Sequence, residues 1–339
     1  MGAETAKMER AIVMGAGSWG TALAAMLAQR GLRVQFWGRD ESLMQEIATT
    51  RCNERYLPGR VIEGEMEATH DLNRLQPADL VLFVTPSKAM RTVAGALRDA
   101  EVLSGNEVLV SCTKGIELAT GRRMSQLLEE YFPQHHLAAL SGPNHAEEVS
   151  RKMPSAAVVA CADAASGVAL QSCFTLPWFR CYTSEDVSGV EWAGALKNAY
   201  AIAAGIALGL NLGDNAIAAL VTRGLAEMVR LGVASGGQVE TFYGLSGVGD
   251  LVATCYSEHS RNHRVGKLLG QGMPLAEIVA STRMVAEGVP NTESLWHAAR
   301  AAEVRTPLLD EVYAVLYQNK SPKLALRELL GRDPRPEVD

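Results

Sequence analysis

The sequence predicts an α/β domain, a parallel sheet covered by helices on both faces, followed by an all-helical domain. Three observations carry that reading: apolar runs alternating with helical stretches over the first half, a glycine-rich turn directly after the first run, and helical patterns alone beyond about residue 188. The first run is Ala11-Ile-Val-Met14. Thr21 to Arg30 reads as a helix closed by Gly31, a residue suited to a left-handed helix cap. Arg33 to Trp37 is the second strand, and Asp79 to Val84 is another, stopped by Thr85-Pro86. Glu107–Cys112, Leu137–Leu140 and Ala156–Cys161 follow. These segments are continuous apolar runs rather than strict alternations, as expected of strands buried on both faces. Val190–Leu210 and Asn215–Leu231 are long helical stretches joined at Gly213-Asp214. Shorter helices are expected at 262–270, 275–281, 291–303, 308–318 and 322–330, the last opened by Ser321-Pro322. The expected division is therefore 1–189 for a dinucleotide-binding domain, 190–331 for a helical substrate-binding domain, and 332–339 for an unstructured tail.

Composition narrows the class. At 339 residues the chain has room for about two domains. With 47% hydrophobic and 21% charged residues it is far from the composition of a disordered chain. The net charge of −6 is spread along the sequence without a basic tract, which argues against a nucleic-acid partner. The 6 cysteines show no Cys-x-x-Cys pair, so reduced thiols of a cytoplasmic protein are expected rather than a disulfide framework or a zinc site, and no metal is expected. Met1 to Arg10 lacks the apolar stretch of a signal peptide. Ala193 to Leu212 is apolar, but it is rich in Ala and Gly and carries Lys197, Asn198 and Asn211, so a buried helix is expected rather than a transmembrane span. His135-His136 reads as surface.

Gly15-Ala-Gly17-Ser18-Trp19-Gly20 has the spacing GxGxxG. The pattern alone is weak, but here it follows a strand and opens a helix, which is the context of a Rossmann-type dinucleotide fingerprint. Gly15 would make the turn, Gly17 would admit the pyrophosphate, and Gly20 would let helix and strand pack closely. At the tip of the second strand, Phe36-Trp37-Gly38-Arg39-Asp40 places Gly38 where an acidic residue would hold a ribose 2′-hydroxyl. Arg39 then stands where a 2′-phosphate could be met, which favours NADPH without excluding NADH, and Asp40 would cap the next helix. The alternative is that Arg39 is a solvated surface charge.

A dinucleotide fold does not name a substrate. Four segments interrupt apolar sequence with polar side chains: Ser111-Cys-Thr-Lys114-Gly115, Ser141-Gly142-Pro-Asn144-His-Ala146, Gly194-Ala-Leu-Lys197-Asn198, and Gly247-Val-Gly-Asp250 with Ser260-Arg261-Asn262 ten residues on. The first two follow sheet strands, at the edge where open α/β sheets bind ligands. A lysine inside an Ala-rich helix either extends its stem to water or is desolvated, with its pKa lowered toward the range useful for proton transfer. Ser260-Arg261-Asn262 at a helix start is either an ordinary cap or an anion cradle.

The ordered motifs GAGSWGTALA, TPS, TKGIE, SGPNHAEEV, GALKN, TRGLAEMVRLG, GVGD and SRNHRVG resemble those of the bacterial NAD(P)-dependent glycerol-3-phosphate dehydrogenases, from about residue 11 to 330. The resemblance implies reduction of dihydroxyacetone phosphate to sn-glycerol 3-phosphate, with NADPH or NADH, in a cytoplasmic homodimer that supplies the glycerol backbone of phospholipids. It implies that Ser18, Trp19, Arg39 and Ala146 contact the dinucleotide, as do Val285 and Glu287 from the helical domain. It places Lys114 between cofactor and substrate, Gly142 and Asn144 along the substrate site, and Lys197 as proton donor and acceptor. Asp250, Ser260, Arg261 and Asn262 complete the pocket, with Arg261 also reaching the cofactor. Many family members carry Ser or Thr where this chain has Asn144, so the side-chain contact there is open. Two other readings are a related dehydrogenase of 3-hydroxyacyl thioesters or hydroxy acids, which would lack the phosphate cradle, and a nucleotide-sensing module, which would need neither Lys197 nor Lys114.

Overall fold

The computed structural model describes residues 8–281, 285–334, 336 and 337. Its strands are β1 (Arg10–Met14), β2 (Arg33–Trp37), β3 (Cys52–Asn53), β4 (Leu57–Val61), β5 (Met66–Thr69), β6 (Leu80–Phe83), β7 (Val108–Ser111), β8 (His136–Ser141), β9 (Ser155–Cys161) and β10 (Phe179–Ser184). Eight of them form one sheet in the order β10-β9-β8-β7-β6-β1-β2-β5, while β3 and β4 make a small antiparallel hairpin. From β5 to β8 every pairing is parallel. The sheet then departs from the all-parallel expectation, because β9 runs antiparallel to β8 and β10 parallel to β9. The link from Ser141 to Ser155 carries only the one-turn helix Ala146–Val149, too little to cover the sheet and return the chain to the same edge.

Why the central strands read as unbroken apolar runs is visible in the packing. Ala11, Val13, Leu80, Leu82 and Val110 point into one core, and Ile12, Met14, Val81, Phe83 and Leu109 into a second on the opposite face. Both sets are buried, so period-two alternation of polarity disappears.

Beyond β10 the described chain is helical. Val187–Gly209 and Asp214–Ala234 are the two long helices, and Tyr200, Met228 and Leu231 lie at the centre of the core around them. Shorter helices follow at Asp250–Tyr256, Arg261–Gly270, Leu275–Ala280, Gly288–Ala301, Pro307–Tyr317 and Pro322–Leu330. Among the described residues no helix is long and apolar enough to cross a membrane. Of the expected tail, residues 335, 338 and 339 lie outside the described residues, as do 282–284 of the segment before Val285. One surface expectation is corrected. His136 is exposed, but the His135 side chain is 8% exposed, with Nε2 3.2 Å from a Glu107 carboxylate oxygen.

One crossing positions the site. Helix Arg261–Gly270 lies directly on Val187–Gly209 with glycine at the contact: a Cβ on Gly205 would stand 2.0 Å from the His263 carbonyl oxygen, and one on Gly266 2.0 Å from that of Ile202. Only hydrogen fits there. The close approach sets the start of the shorter helix, Ser260-Arg261-Asn262, beside Lys197 and Asn198.

Candidate active site

The fingerprint turn is built as its spacing predicts. A Cβ on Gly20 would meet the Gly15 carbonyl oxygen at 1.8 Å, so helix and strand could not close with any larger residue. Gly15 has φ +126° and is packed against the Val84 carbonyl, whereas a Cβ on Gly17 would meet nothing within 4 Å. Gly17 therefore opens on a cleft of about 500 Å³ that runs from the turn to the helical domain. Helix Ser18–Gln29 has no side-chain cap and no acidic residue in its first turn, which leaves its first N–H groups free for an anion. The buried Trp19 indole N–H has no acceptor in the protein. These features fit a dinucleotide pyrophosphate.

At the β2 tip, Asp40 caps helix Glu41–Thr50 by accepting from the Leu43 N–H, as expected, and pairs with Arg55. A Cβ on Gly38 would stand 2.6 Å from Met44 Sδ and 2.8 Å from Ala16 Cβ, so an acidic side chain has no room there. Arg39 is exposed, lines the cleft, and makes no ion pair among the described residues.

Deeper in the cleft, three elements converge on Asp250. Lys197 Nζ, from the middle of the long helix, donates to Asp250 Oδ1 at 3.0 Å and to Thr254 Oγ1 at 2.7 Å. Lys114 Nζ, from the loop after β7, donates to Asp250 Oδ2 at 2.7 Å, to the Gly142 carbonyl at 3.0 Å and to Asn144 Oδ1 at 3.2 Å. One carboxylate thus bridges two ammonium groups. Burial pushes Lys197 down from its ordinary value to about 8, with Lys114 pushing the same way and Asp250 opposing. Burial works against ionisation of Asp250, but the charges of Lys114 and Lys197 hold its carboxyl below the usual range. The Asn144 Nδ2 donors have no partner in the protein, which leaves them free for a ligand.

The helix start at Ser260 divides its donors. Ser260 Oγ accepts from the His263 N–H as an N-cap, and the Asn262 side chain is committed within the protein, donating to Asn198 Oδ1 at 2.8 Å and accepting from the Gly288 N–H at 2.9 Å. What faces an anion is therefore the backbone N–H groups of Arg261 and Asn262 and the exposed Arg261 side chain, whose Nη1 donates to the Val285 carbonyl at 2.8 Å. Glu287 lies close to Arg261, and its carboxylate accepts from Ser87 Oγ at 2.6 Å across the cleft.

The comparisons with known proteins agree from end to end. The model of the NAD-dependent glycerol-3-phosphate dehydrogenase N-terminus matches residues 10–166, and that of its C-terminus matches residues 186–327. The chain belongs to the NAD-dependent glycerol-3-phosphate dehydrogenase family. Glycerol-3-phosphate dehydrogenase [NAD(P)+] of Geobacter sulfurreducens is 47% identical over 333 residues, covering 97% of this chain and 99% of the relative. That of Pediococcus pentosaceus is 44% identical, over 98% of this chain and 100% of its own length. The crystal structure of the Coxiella burnetii glycerol-3-phosphate dehydrogenase superposes with a TM-score of 0.91 at 36% identity, covering 96% of this chain and 99% of that one. Membership makes this chain an NAD(P)-dependent oxidoreductase and sets aside the nucleotide-sensing reading.

In this family member Gly15, Gly17, Ser18, Trp19, Gly20, Arg39, Lys114, Asn144, Ala146, Lys197, Ser260, Arg261, Asn262, Val285 and Glu287 all line one cleft. Gly142 and Asp250 stand behind it, as the carbonyl and carboxylate that hold the lysines. Thr254 and His259, which no sequence motif singles out, line it as well. Thr254 has a usable signal, being one helical turn after Asp250, but that signal depends on helix Asp250–Tyr256, which is not among the helices the sequence predicts.

Proposed function

We propose that this chain catalyses the reversible NAD(P)H-dependent reduction of dihydroxyacetone phosphate to sn-glycerol 3-phosphate. The observation that carries the reading is the Asp250 bridge between Lys197 and Lys114, set between a dinucleotide turn and the Ser260-capped helix start that presents Arg261. Bound NAD(P)H supplies the hydride for the ketone carbon. Gly15 to Gly20 would hold its pyrophosphate, Arg39 a 2′-phosphate, and Val285 and Glu287 its far side.

The protein's own groups account for the rest. Lys197 Nζ holds the proton that ends on the substrate oxygen, and a group poised at about 8 can both give and regain it near neutral pH. The Lys114 ammonium adds positive charge where oxygen becomes negative. Asp250 keeps both ammonium groups aimed into the cleft, and Thr254 fixes the second direction of Lys197. The Arg261 side chain and the backbone N–H groups of Arg261 and Asn262 hold the substrate phosphate, and the free Asn144 amide donates to a substrate oxygen. The proposed division, 1–189 for the dinucleotide domain and 190–331 for the substrate-binding domain, falls near the start of helix Val187–Gly209. The homodimer, the cytoplasmic location and the role in phospholipid synthesis rest on family resemblance.

The test is a steady-state assay of reduced nicotinamide consumption with dihydroxyacetone phosphate. The unphosphorylated ketone and 2-oxo acids serve as controls, and NADPH is compared with NADH. Turnover should require the phosphate. Arg39→Ala should raise KM for NADPH about tenfold or more beyond its effect on NADH, the scale of one lost charge-assisted phosphate contact. Faster turnover of a 2-oxo acid would overturn the substrate assignment, and equal effects on both cofactors would remove Arg39 from 2′-phosphate recognition.

A further inference from the structure

The backbone carbonyl of Lys114 is held by two buried side-chain amides from the helical half of the molecule. Asn291 Nδ2, at the fourth residue of helix Gly288–Ala301, donates to it at 2.8 Å, and Asn198 Nδ2, the residue after Lys197, donates at 3.2 Å. Asn291 is 1% exposed and Asn198 3% exposed. The loop is pressed onto Asn291 so closely that a Cβ on Gly115 would stand 2.7 Å from Asn291 Oδ1 and 2.6 Å from Ser87 Cβ. Asn291 Oδ1 itself has no hydrogen-bond donor. The Asn291 amide is therefore engaged through its donor alone.

The clamp continues. Asn198 Oδ1 accepts from Asn262, whose own oxygen accepts from the Gly288 N–H. A chain of amides therefore joins the start of the phosphate-facing helix to the Lys114 backbone.

We propose that Asn291 is a positioning residue for the reaction: its amide fixes the Lys114 carbonyl and thereby holds the Lys114 ammonium on Asp250. Asn291 lies outside the cleft wall and touches neither ammonium group. The proposal rests on the dehydrogenase reading given above.

The consequence has a sign. The charged and titratable groups facing Lys197 are Asp250, Lys114, Cys255 and, more distantly, His145. Lys114 both repels charge on Lys197 and competes with it for the Asp250 carboxylate. Loosening Lys114 therefore hands more of Asp250 to Lys197 and strengthens its hold on the proton. The alkaline limb of the pH profile of kcat for ketone reduction should move to higher pH, while the maximal rate falls because Lys114 no longer sits where negative charge develops.

The experiment is Asn291→Leu in the full-length protein, of similar side-chain size without the donor. Measured together are kcat and KM for dihydroxyacetone phosphate across pH, NADPH affinity by fluorescence titration, and melting temperature. A tenfold or larger loss in kcat is expected, with NADPH affinity changed less than about twofold and the alkaline limb displaced upward by about half a pH unit or more. A merely structural residue would lower the melting temperature and leave the limb where it is; that result, or a kcat within twofold of the parent, overturns the proposal. If Asn291→Leu does not fold, Asn291→Ser, whose hydroxyl is too short to reach the Lys114 carbonyl, is judged by the same criteria. The parent's own turnover of dihydroxyacetone phosphate, measured alongside, tests the dehydrogenase reading separately.

Discussion

Asp250 fixes the chemistry of the cleft because a single carboxylate serves two lysines with opposite needs. Lys114 is required to remain charged, whereas Lys197 must part with a proton and recover it. Burial weakens the hold of Lys197 on its proton to about 8, and Asp250 keeps it from falling further. Lys197→Met preserves the apolar stem inside the long helix and removes the charge and its donors. Turnover should fall by about 10²- to 10⁴-fold, with NADPH affinity nearly unchanged and the protein folded. A folded, cofactor-binding variant keeping more than about a tenth of the parent rate would remove Lys197 from its role. Both lysines and Asp250 are legible in the sequence because each interrupts an apolar or glycine-rich stretch. Asn198 as a donor and Asn291 are not, and Thr254 is so only through a helix the sequence does not predict. Their significance lies in carbonyl and ammonium partners up to 177 residues away, and no local pattern reports such pairings.

Among the elements, the central strands are the easy part of the sequence and the edges the hard part. The strands at the middle of the sheet, β1, β6 and β7, bury apolar side chains on both faces. The strands of the main sheet that no apolar run announces, Met66–Thr69 and Phe179–Ser184, are its two edges, paired on one side only and mixing buried with exposed residues. Reversal of β9 is likewise hidden, since direction depends on the connection rather than on the strand's own residues. The helix crossing is the element that matters most for function. A Cβ at Gly266 would meet the Ile202 carbonyl oxygen at 2.0 Å, a backbone atom that cannot rotate away. Gly266→Ala must push the two helices apart, at about 1–3 kcal/mol for an overpacked contact. Because the displaced helix carries Ser260 and Arg261, KM for dihydroxyacetone phosphate should rise together with the fall in melting temperature. An unchanged KM in a destabilised variant would show that the phosphate site does not depend on the crossing.

The molecule as a whole carries another buried carboxylate, away from the two lysines, and it sets a pH dependence of stability. Glu227, 2% exposed, points from helix Asp214–Ala234 to the start of helix Pro307–Tyr317, accepting from the Leu308 N–H at 2.8 Å and the Leu309 N–H at 3.2 Å. The Tyr200 hydroxyl donates to it at 3.2 Å. Burial raises its pKa to about 7, and the three donors, which favour the charged form, offset only part of that rise. In the unfolded chain the same carboxyl titrates at the ordinary Glu value of about 4.3. Between these two values the folded state binds more protons than the unfolded one, so this group's contribution to stability declines as pH rises through the window. Its full extent is on the order of 4 kcal/mol, from about 1.4 kcal/mol for each pH unit that separates the folded and unfolded values. Glu227→Gln keeps the shape and an oxygen acceptor while removing the titration. The difference in melting temperature, parent minus variant, should therefore fall between about pH 5 and pH 8, since every other titrating group is common to both proteins. A difference that is flat across this range would show that Glu227 stays ionised throughout, held by the helix start it caps, with its pKa in the folded protein at or below the ordinary value.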